Sequence, residues 1–286
     1  RMANAPGNLD HVAAAGLRGD LVGNTATMHL YQRDRSGREG LRSGLNLTWN
    51  DSLIRLSLEP DPQFGFEPWS VNPGNYLIYR YDRQLEADLD LTRGSQRFAL
   101  HSIPASERTA GIRLVMAGLG IGSMLELLPS APPVDGQLGA DLSLALGRDT
   151  LALGGYITVG GLAYDRQPFG DLALRARYGQ GHEQRADLRL AIDTAEVLAA
   201  TASYDAAAPS PLDARIALRE LPLQRFDAFL PAEMLRLTGS LSGRLQAEGA
   251  IDAPQLDGRL HFAGTELRVP MIGTSFRLSE DTIRFD

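Results

Sequence analysis

The sequence predicts an all-β chain: a repeat-built, mostly antiparallel, curved sheet with one apolar face and short capping helices. Three observations carry this. Apolar and polar residues alternate with a period of two in run after run. Glycines fall among the apolar positions of those runs. The plan of the last third of the chain also repeats an earlier stretch. A period of two gives a strand one dry face and one wet face, whereas a helix needs apolar spacings near three and four.

The elements follow in chain order. Residues 1–20 form a poorly ordered or short helical lead-in, and RMANAPGNLD does not look like a natural start. Residues 21–110 form an N-terminal β segment. In it Leu45, Leu47 and Trp49 make one strand and Ile54, Leu56 and Leu58 another, joined by a hairpin turn at Asn50-Asp51. Asn72-Pro73-Gly74-Asn75 is a β-turn with Pro and Gly placed for type II, and Trp69, Tyr76 and Tyr79 surround it. Leu85, Ala87, Leu89 and Leu91 then alternate against Glu86, Asp88 and Asp90, the two aspartates repelling mildly on the wet face.

Residues 111–210 make a first β repeat and 211–286 a second. Leu138, Ala140, Leu142, Leu144 and Leu146 share one parity, as do Leu172, Leu174, Ala176 and Tyr178, then Leu188, Leu190 and Ile192. Later come Leu241, Gly243, Leu245 and Ala247, a turn at Asp252-Ala253-Pro254, and Leu256, Gly258, Leu260 and Phe262. Laid over 111–178, the stretch 212–286 matches in punctuation. Leu221-Pro222-Leu223 falls on Leu119-Gly120-Ile121, Phe226 on Met124, and Leu230-Pro231 on Leu128-Pro129. Gly239 falls on Gly136, Gly258 on Gly155, and Pro270 and Gly273 on Pro168 and Gly170, give or take a residue. The short helical pieces are Ser123–Leu128 and Gln224–Leu230, each ended by the proline that follows. DTIRFD stops inside an alternating strand, so the chain reads as a fragment of a longer one.

Composition removes several function classes. The 286 residues carry 43% hydrophobic side chains and a net charge of −7, against the basic face of a nucleic-acid binder. Cysteine is absent, and with it disulfides, thiolate metal sites and cysteine nucleophiles. All 28 basic residues are arginine, which excludes a phosphate-loop lysine and Ser-Lys dyads. No apolar run of about 20 residues spans a membrane as a helix. His11, His29, His101, His182 and His261 are scattered, without metal-ligand spacing. Gly118-Leu119-Gly120-Ile121-Gly122 lacks the last glycine of a dinucleotide loop and reads as a turn before a short helix. Gly239-Ser240-Leu241-Ser242-Gly243 has leucine where a nucleophile elbow has serine. Glu280-Asp281 reads as a solvated turn.

The long apolar face therefore carries the function, and two architectures compete for it. It closes on itself as a β-sandwich or barrel core, or it lines an open, elongated U-shaped trough. Glycines on the dry parity mark sharp bending, which suits either. A repeat that grows along one axis favours the trough. In water an open trough needs a filling, and an acyl chain gains roughly 0.8 kcal/mol per buried methylene.

The stretch ALRELPLQRFDAFLPAEMLRLTGSLSGRLQAEGAIDAPQLDGRLHFAGTELRVPMIGTSFRLSEDTIRF carries Leu221-Pro222, Gly239 to Gly243, Pro254-Gln255-Leu256-Asp257-Gly258 and Pro270-Met271-Ile272-Gly273 in order. In this it resembles the C-terminal region of the TamB family, inner-membrane subunits of the translocation and assembly module. That family lies in the AsmA-like, bridge-like lipid transfer superfamily. Trp69 to Tyr79 resembles a further segment of such chains. The likeness is good over about 210–286, fair over 45–210 and absent over the first 20. It implies a β-taco with a hydrophobic groove, in the periplasm, with an inner-membrane anchor outside this chain. It also implies phospholipid transport toward an outer-membrane Omp85-type barrel. No enzyme activity, cofactor or nucleic-acid partner is implied. The face expected to line the groove is Ile157, Val159, Leu172, Leu174, Leu188, Leu190, Ile216, Leu241, Leu245, Leu256, Leu260, Phe262, Leu267, Phe276 and Leu278. Two other readings stay open: a chaperone for barrel or autotransporter assembly that pairs strand edges with a client, and a closed sandwich with a carbohydrate-binding or structural role.

Overall fold

A computed structural model describes residues 14–285 apart from 83, 107–108, 126–127, 129–131, 148–149, 231–234 and 279–280. Strand takes 74% of the chain and helix 6%, and the sheet is nearly all antiparallel, so the all-β expectation holds. The chain divides after Gly147 into two compact units. That division falls inside the first repeat. The repeat is a plan of the chain, while compactness groups whichever strands pack together.

Unit 1 contains β1 (Ala14–Val22), β2 (Thr25–Arg33), β3 (Glu39–Trp49), β4 (Leu53–Leu58), β5 (Gln63–Phe64), β6 (Glu67–Pro68), β7 (Ser70–Val71), β8 (Tyr76–Arg80), β9 (Leu85–Arg93), β10 (Gln96–Ser106), β11 (Thr109–Gly120), α1 (Ile121–Leu125) and β12 (Val134–Gly147). The ladder runs β1–β2–β3–β4–β8–β9–β10–β11–β12. The expected lead-in is corrected where it can be seen. Residues 14–20 belong to β1, paired with β2 through the Gly23-Asn24 turn, while residues 1–13 lie outside the described residues. AAGLRGDLV shows no alternation because the strand is exposed along nearly all its length, so no dry face selects a parity.

The hairpin at Asn50 forms as expected. Leu45 faces Leu58 and Trp49 faces Ile54, and the Asn50 carboxamide accepts the backbone N–H of Ser52 and of Leu53. Between β4 and β8 the chain leaves the ladder. β5 pairs back to β3 at Leu41 and Arg42, and β7 pairs with β9 at Leu91 and Thr92. This excursion carries Trp69 over the apolar face. Its backbone N–H donates to Pro62 O at 2.8 Å and its indole N–H to Phe64 O at 3.3 Å. The expected Asn72–Asn75 turn closes by an N–H to O bond of 3.3 Å. Its two asparagines then stand in for a missing strand. Asn75 brackets the N–H and C=O of Leu58, and Asn72 accepts the N–H of Asp90. Buried backbone groups need partners, and these side chains supply them where β4 ends.

Unit 2 contains β13 (Leu151–Tyr164), β14 (Gln167–Gln180), β15 (Gln184–Ile192), β16 (Ala195–Tyr204), β17 (Leu212–Pro222), β18 (Arg236–Ala250), β19 (Ala253–Val269), β20 (Thr274–Leu278) and β21 (Thr282–Phe285). It is a meander from β13 to β19. β19 then takes β20 along Thr265–Val269 and β21 along Gly258–His261.

Two backbone features recur at positions that the sequence alignment equates. Pairing of β11 with β12 slips between Met116 and Leu119, and pairing of β17 with β18 slips between Leu218 and Leu221. Leu119 and Leu221 are the residues the sequence alignment equated. The residue before each is left-handed: Gly118 at φ 60° and Glu220 at φ 44°. A short helical piece follows both slips, α1 in the first repeat and a 3₁₀ stretch, Leu223–Phe229, in the second. The expected boundaries shift. The first piece begins at Ile121 rather than Ser123; Leu127 and Pro129 lie outside the described residues, as does Pro231. The second is 3₁₀ rather than α, the tighter form that short runs adopt. The turn expected at Asp252-Ala253-Pro254 is the two-residue Ile251-Asp252, because Ala250 already faces Ala253 and Pro254 lies in β19.

Candidate functional site

Strict register turns the alternation of unit 2 into rows that cross the sheet. Ile157, Leu174, Leu190, Leu198, Leu218, Gly243, Leu260 and Ile283 stand opposite one another on successive strands. The next row reads Gly155, Ala176, Leu188, Ala200, Ile216, Leu245, Gly258 and Phe285. Beyond it lie Leu153, Tyr178, Ala186, Ala202, Ala214, Ala247 and Leu256. On the other side Val159 faces Leu172, and Leu241 faces Phe262. Past a slip at Gly239, Leu267 stands between Leu237 and Phe276, and Leu278 faces Thr265. The fifteen residues singled out from the sequence all lie in these rows. Their relief is a leucine ridge beside an alanine furrow.

Glycine is required at two points of this face, and at the first a Cβ on Gly243 would sit 2.3 Å from Arg259 O. A Cβ on Gly258 would sit 2.2 Å from Arg244 O, and its φ is 144°. β18 and β19 approach too closely there for any side chain.

Among the described residues, none of the fifteen is fully buried. Leu188 is 37% exposed, Ile216 38%, Leu256 47% and Phe276 56%. The other eleven are half-buried. Among the described residues of unit 2 only Leu162, Phe169, Ile192 and Val197 are buried apolar side chains. Around Phe169 lies the 3₁₀ cap: its ring meets Phe226 at 5.6 Å and Phe229 at 5.3 Å. Arg225 pins the cap by donating to Phe169 O at 2.9 Å and pairing with Asp193 at 2.6 Å. Beyond the cap, the described residues of these rows are half-buried or exposed.

The opposite face is polar. Tyr156, Arg175, Arg189, Ala199, Ala217, Arg244, Arg259 and Arg284 form one row of it. Arg185–Glu183, Arg215–Asp213 and Arg219–Glu196 pairs at 2.6 to 2.8 Å populate its surroundings. The Arg185 guanidinium holds the Glu183 carboxyl below its usual range. Such exposed pairs add little stability, but they fix which face is wet.

In unit 1 the aspartates expected to repel each other are instead paired across to β10. Asp90 takes a two-pronged contact from Arg97, at 2.9 and 2.6 Å, and Asp88 lies 3.3 Å from His101. Among the described residues no cluster of three or more His, Asp or Glu could hold a metal ion, and no helix is long and apolar enough to cross a membrane. Glu280 lies outside the described residues.

Sequence reasoning placed no site residue in unit 1, yet that unit contains a cavity of about 380 Å³ lined by Trp69, Leu91, Phe98, Leu119 and Met124, with Arg93 and Gln96 among its walls. The available signal was parity. Arg93 falls on the dry side of Leu85, Ala87, Leu89 and Leu91. No protein-family model, curated protein or solved structure matches the chain.

Proposed function

We propose that the protein binds phospholipid acyl chains on the apolar face of its sheet and passes them along it. It would act as the periplasmic segment of a bridge between inner and outer membranes. One observation carries this reading: the rows of unit 2 are apolar from strand to strand, and no layer of the described chain covers them. An uncovered apolar face of this extent is a binding surface. A chain of a dozen carbons gains about 10 kcal/mol there relative to water, at roughly 0.8 kcal/mol per methylene. The bilayer offers nearly the same, so transfer between the two is close to balanced. Transfer then needs contact and no catalytic group. The resemblance of the repeated Leu-Pro, Gly and Pro-x-x-Gly punctuation to the TamB family supports the envelope setting.

A second reading has its own support. β1 pairs only with β2 among the described strands, and Leu17, Leu21 and Val22 on it are 61%, 68% and 77% exposed. A free apolar edge strand can pair with a client strand.

Photocrosslinking groups at Leu174 and Phe262, with labelled phospholipid in cells, separate the two. Label at both positions and none at Arg175 or Arg244 supports the lipid reading. A folded protein that takes no label at any of them removes it.

A further inference from the structure

We propose that unit 1 holds a separate site for one fatty carboxylate: a single acyl chain of about a dozen carbons, with Arg93 receiving its head. This concerns unit 1 alone and stands whether or not the face of unit 2 carries phospholipid.

The cavity is built, not merely left over. The excursion between β4 and β8 brings Trp69 down on β9, where Trp69, Leu91 and Leu119 form a buried cluster. α1 closes another wall with Ser123 and Met124. The volume of about 380 Å³ lies at the small end of ligand pockets, which run from roughly 300 to 1,000 Å³. A methylene takes roughly the space of a water, about 30 Å³. One chain of about a dozen carbons fits, and two do not.

The head is read from the one break in the apolar pattern. On β9 and β10 the dry rows pair Leu89 with Leu100 and Leu91 with Phe98, and the next pair is Arg93 with Gln96. A guanidinium thus occupies the position where the next apolar side chain belongs. It is half-buried, at 34% exposure, and held in place by Glu67 at 3.2 Å and the side-chain Oε1 of Gln96 at 3.3 Å. The Gln96 contact is a hydrogen bond from one of its five N–H donors, and Glu67 is an ion-pair partner. Glu67 is itself 50% exposed, so its neutralising effect is screened by water. A planar fork with donors to spare, at the end of an apolar cavity, matches a carboxylate on an alkyl chain.

Tryptophan gives the test. The chain has two, Trp49 and Trp69, and unit 2 has none. In a Trp49→Phe variant all indole emission comes from the cavity wall. Titration with 12-bromododecanoate below its micelle concentration is expected to quench Trp69 saturably, with one ligand per chain. Dodecanol competes at least about tenfold more weakly than dodecanoate, the factor a charge-assisted contact carries. Arg93→Leu, with its fold checked by circular dichroism, narrows that difference to within about threefold. Absence of saturable quenching overturns the site. Equal competition by dodecanol and dodecanoate overturns the role of Arg93, and this comparison needs no variant at that position. Lipid label at Leu174 and Phe262 reads unit 2 independently, so either proposal can fail alone.

Discussion

Leu188→Asp separates an open face from a closed core, because the two give different energies. Leu188 lies on β15 between Ala176 on β14 and Ala200 on β16, and is 37% exposed. Full burial of a leucine contributes about 1.5–3 kcal/mol. With about two thirds of that realised, losing the side chain costs about 1–2 kcal/mol. Aspartate's poor fit to a strand adds up to about 1 kcal/mol. The introduced carboxylate can keep its water, since the side chain it replaces already reaches solvent. The total is about 1–3 kcal/mol, and the variant folds. In a closed sandwich the same change would leave an unpaired charge in the core, which adds several kcal/mol more. Urea unfolding followed by far-ultraviolet circular dichroism measures the difference. Arg175→Asp, on the opposite face, is the control. The same variant carrying a photocrosslinker at Leu174 is expected to lose most of its phospholipid label, because a carboxylate now stands beside the leucine ridge. A destabilisation above about 5 kcal/mol, or undiminished labelling in a folded variant, would refute the reasoning.

Two further outcomes test the local chemistry. Glu220→Gly is expected to stabilise by up to about 1 kcal/mol in urea. It relieves a left-handed residue costing about 1–2 kcal/mol, less the chain entropy glycine adds. No gain, or a loss, would mean that the bulge geometry of β17 is not strained at Glu220. The Asp34 carboxyl is held down from its ordinary 3.8 to about 2, first by the Ser36 hydroxyl and then by the backbone N–H and guanidinium of Arg38. A depressed carboxylate contributes stability above its unfolded pKa and loses it as pH falls through the folded one. The stability difference between wild type and Asp34→Asn is therefore flat from pH 7 to about 5 and shrinks from there toward pH 2. A difference that instead changes between pH 7 and 5 would contradict it.

Strand identity was legible wherever one face is dry, and illegible where neither is. β13 to β19 alternate because unit 2 has a wet side rich in arginine and an apolar side, so periodicity records the fold directly. β1 escaped because both its faces meet water. β5 to β7 escaped for another reason: two-residue strands are too short to show a period, and only their position over Trp69 gives them meaning. The rows themselves could not be read from sequence. Parity says which residues share a face on one strand. Which residues meet across strands depends on slips such as those at Gly118 and Glu220, each of which re-phases everything beyond it. The equivalence of those slips was nonetheless implicit in the alignment of Leu119 with Leu221. Helix type was not, since nothing in LQRFDAF distinguishes one turn of 3₁₀ from one of α.

The two units also show that alternation does not determine exposure. Both carry strands with one apolar side, and a single layer of sheet can bury that side only by covering it. Unit 1 covers part of its face, around Leu91 and Leu119, with its own chain, because the stretch between β4 and β8 is long enough to double back and carries Trp69. Unit 2 has two- to seven-residue connections between most of its strands and one aromatic 3₁₀ cap. Among its described residues, that cap packs on Phe169. Leucine at the same parity is thus core at Leu91 and surface at Leu256. Connection length separates them: the long stretch between β4 and β8 folds over Leu91, and the two-residue Ile251-Asp252 turn beside Leu256 does not.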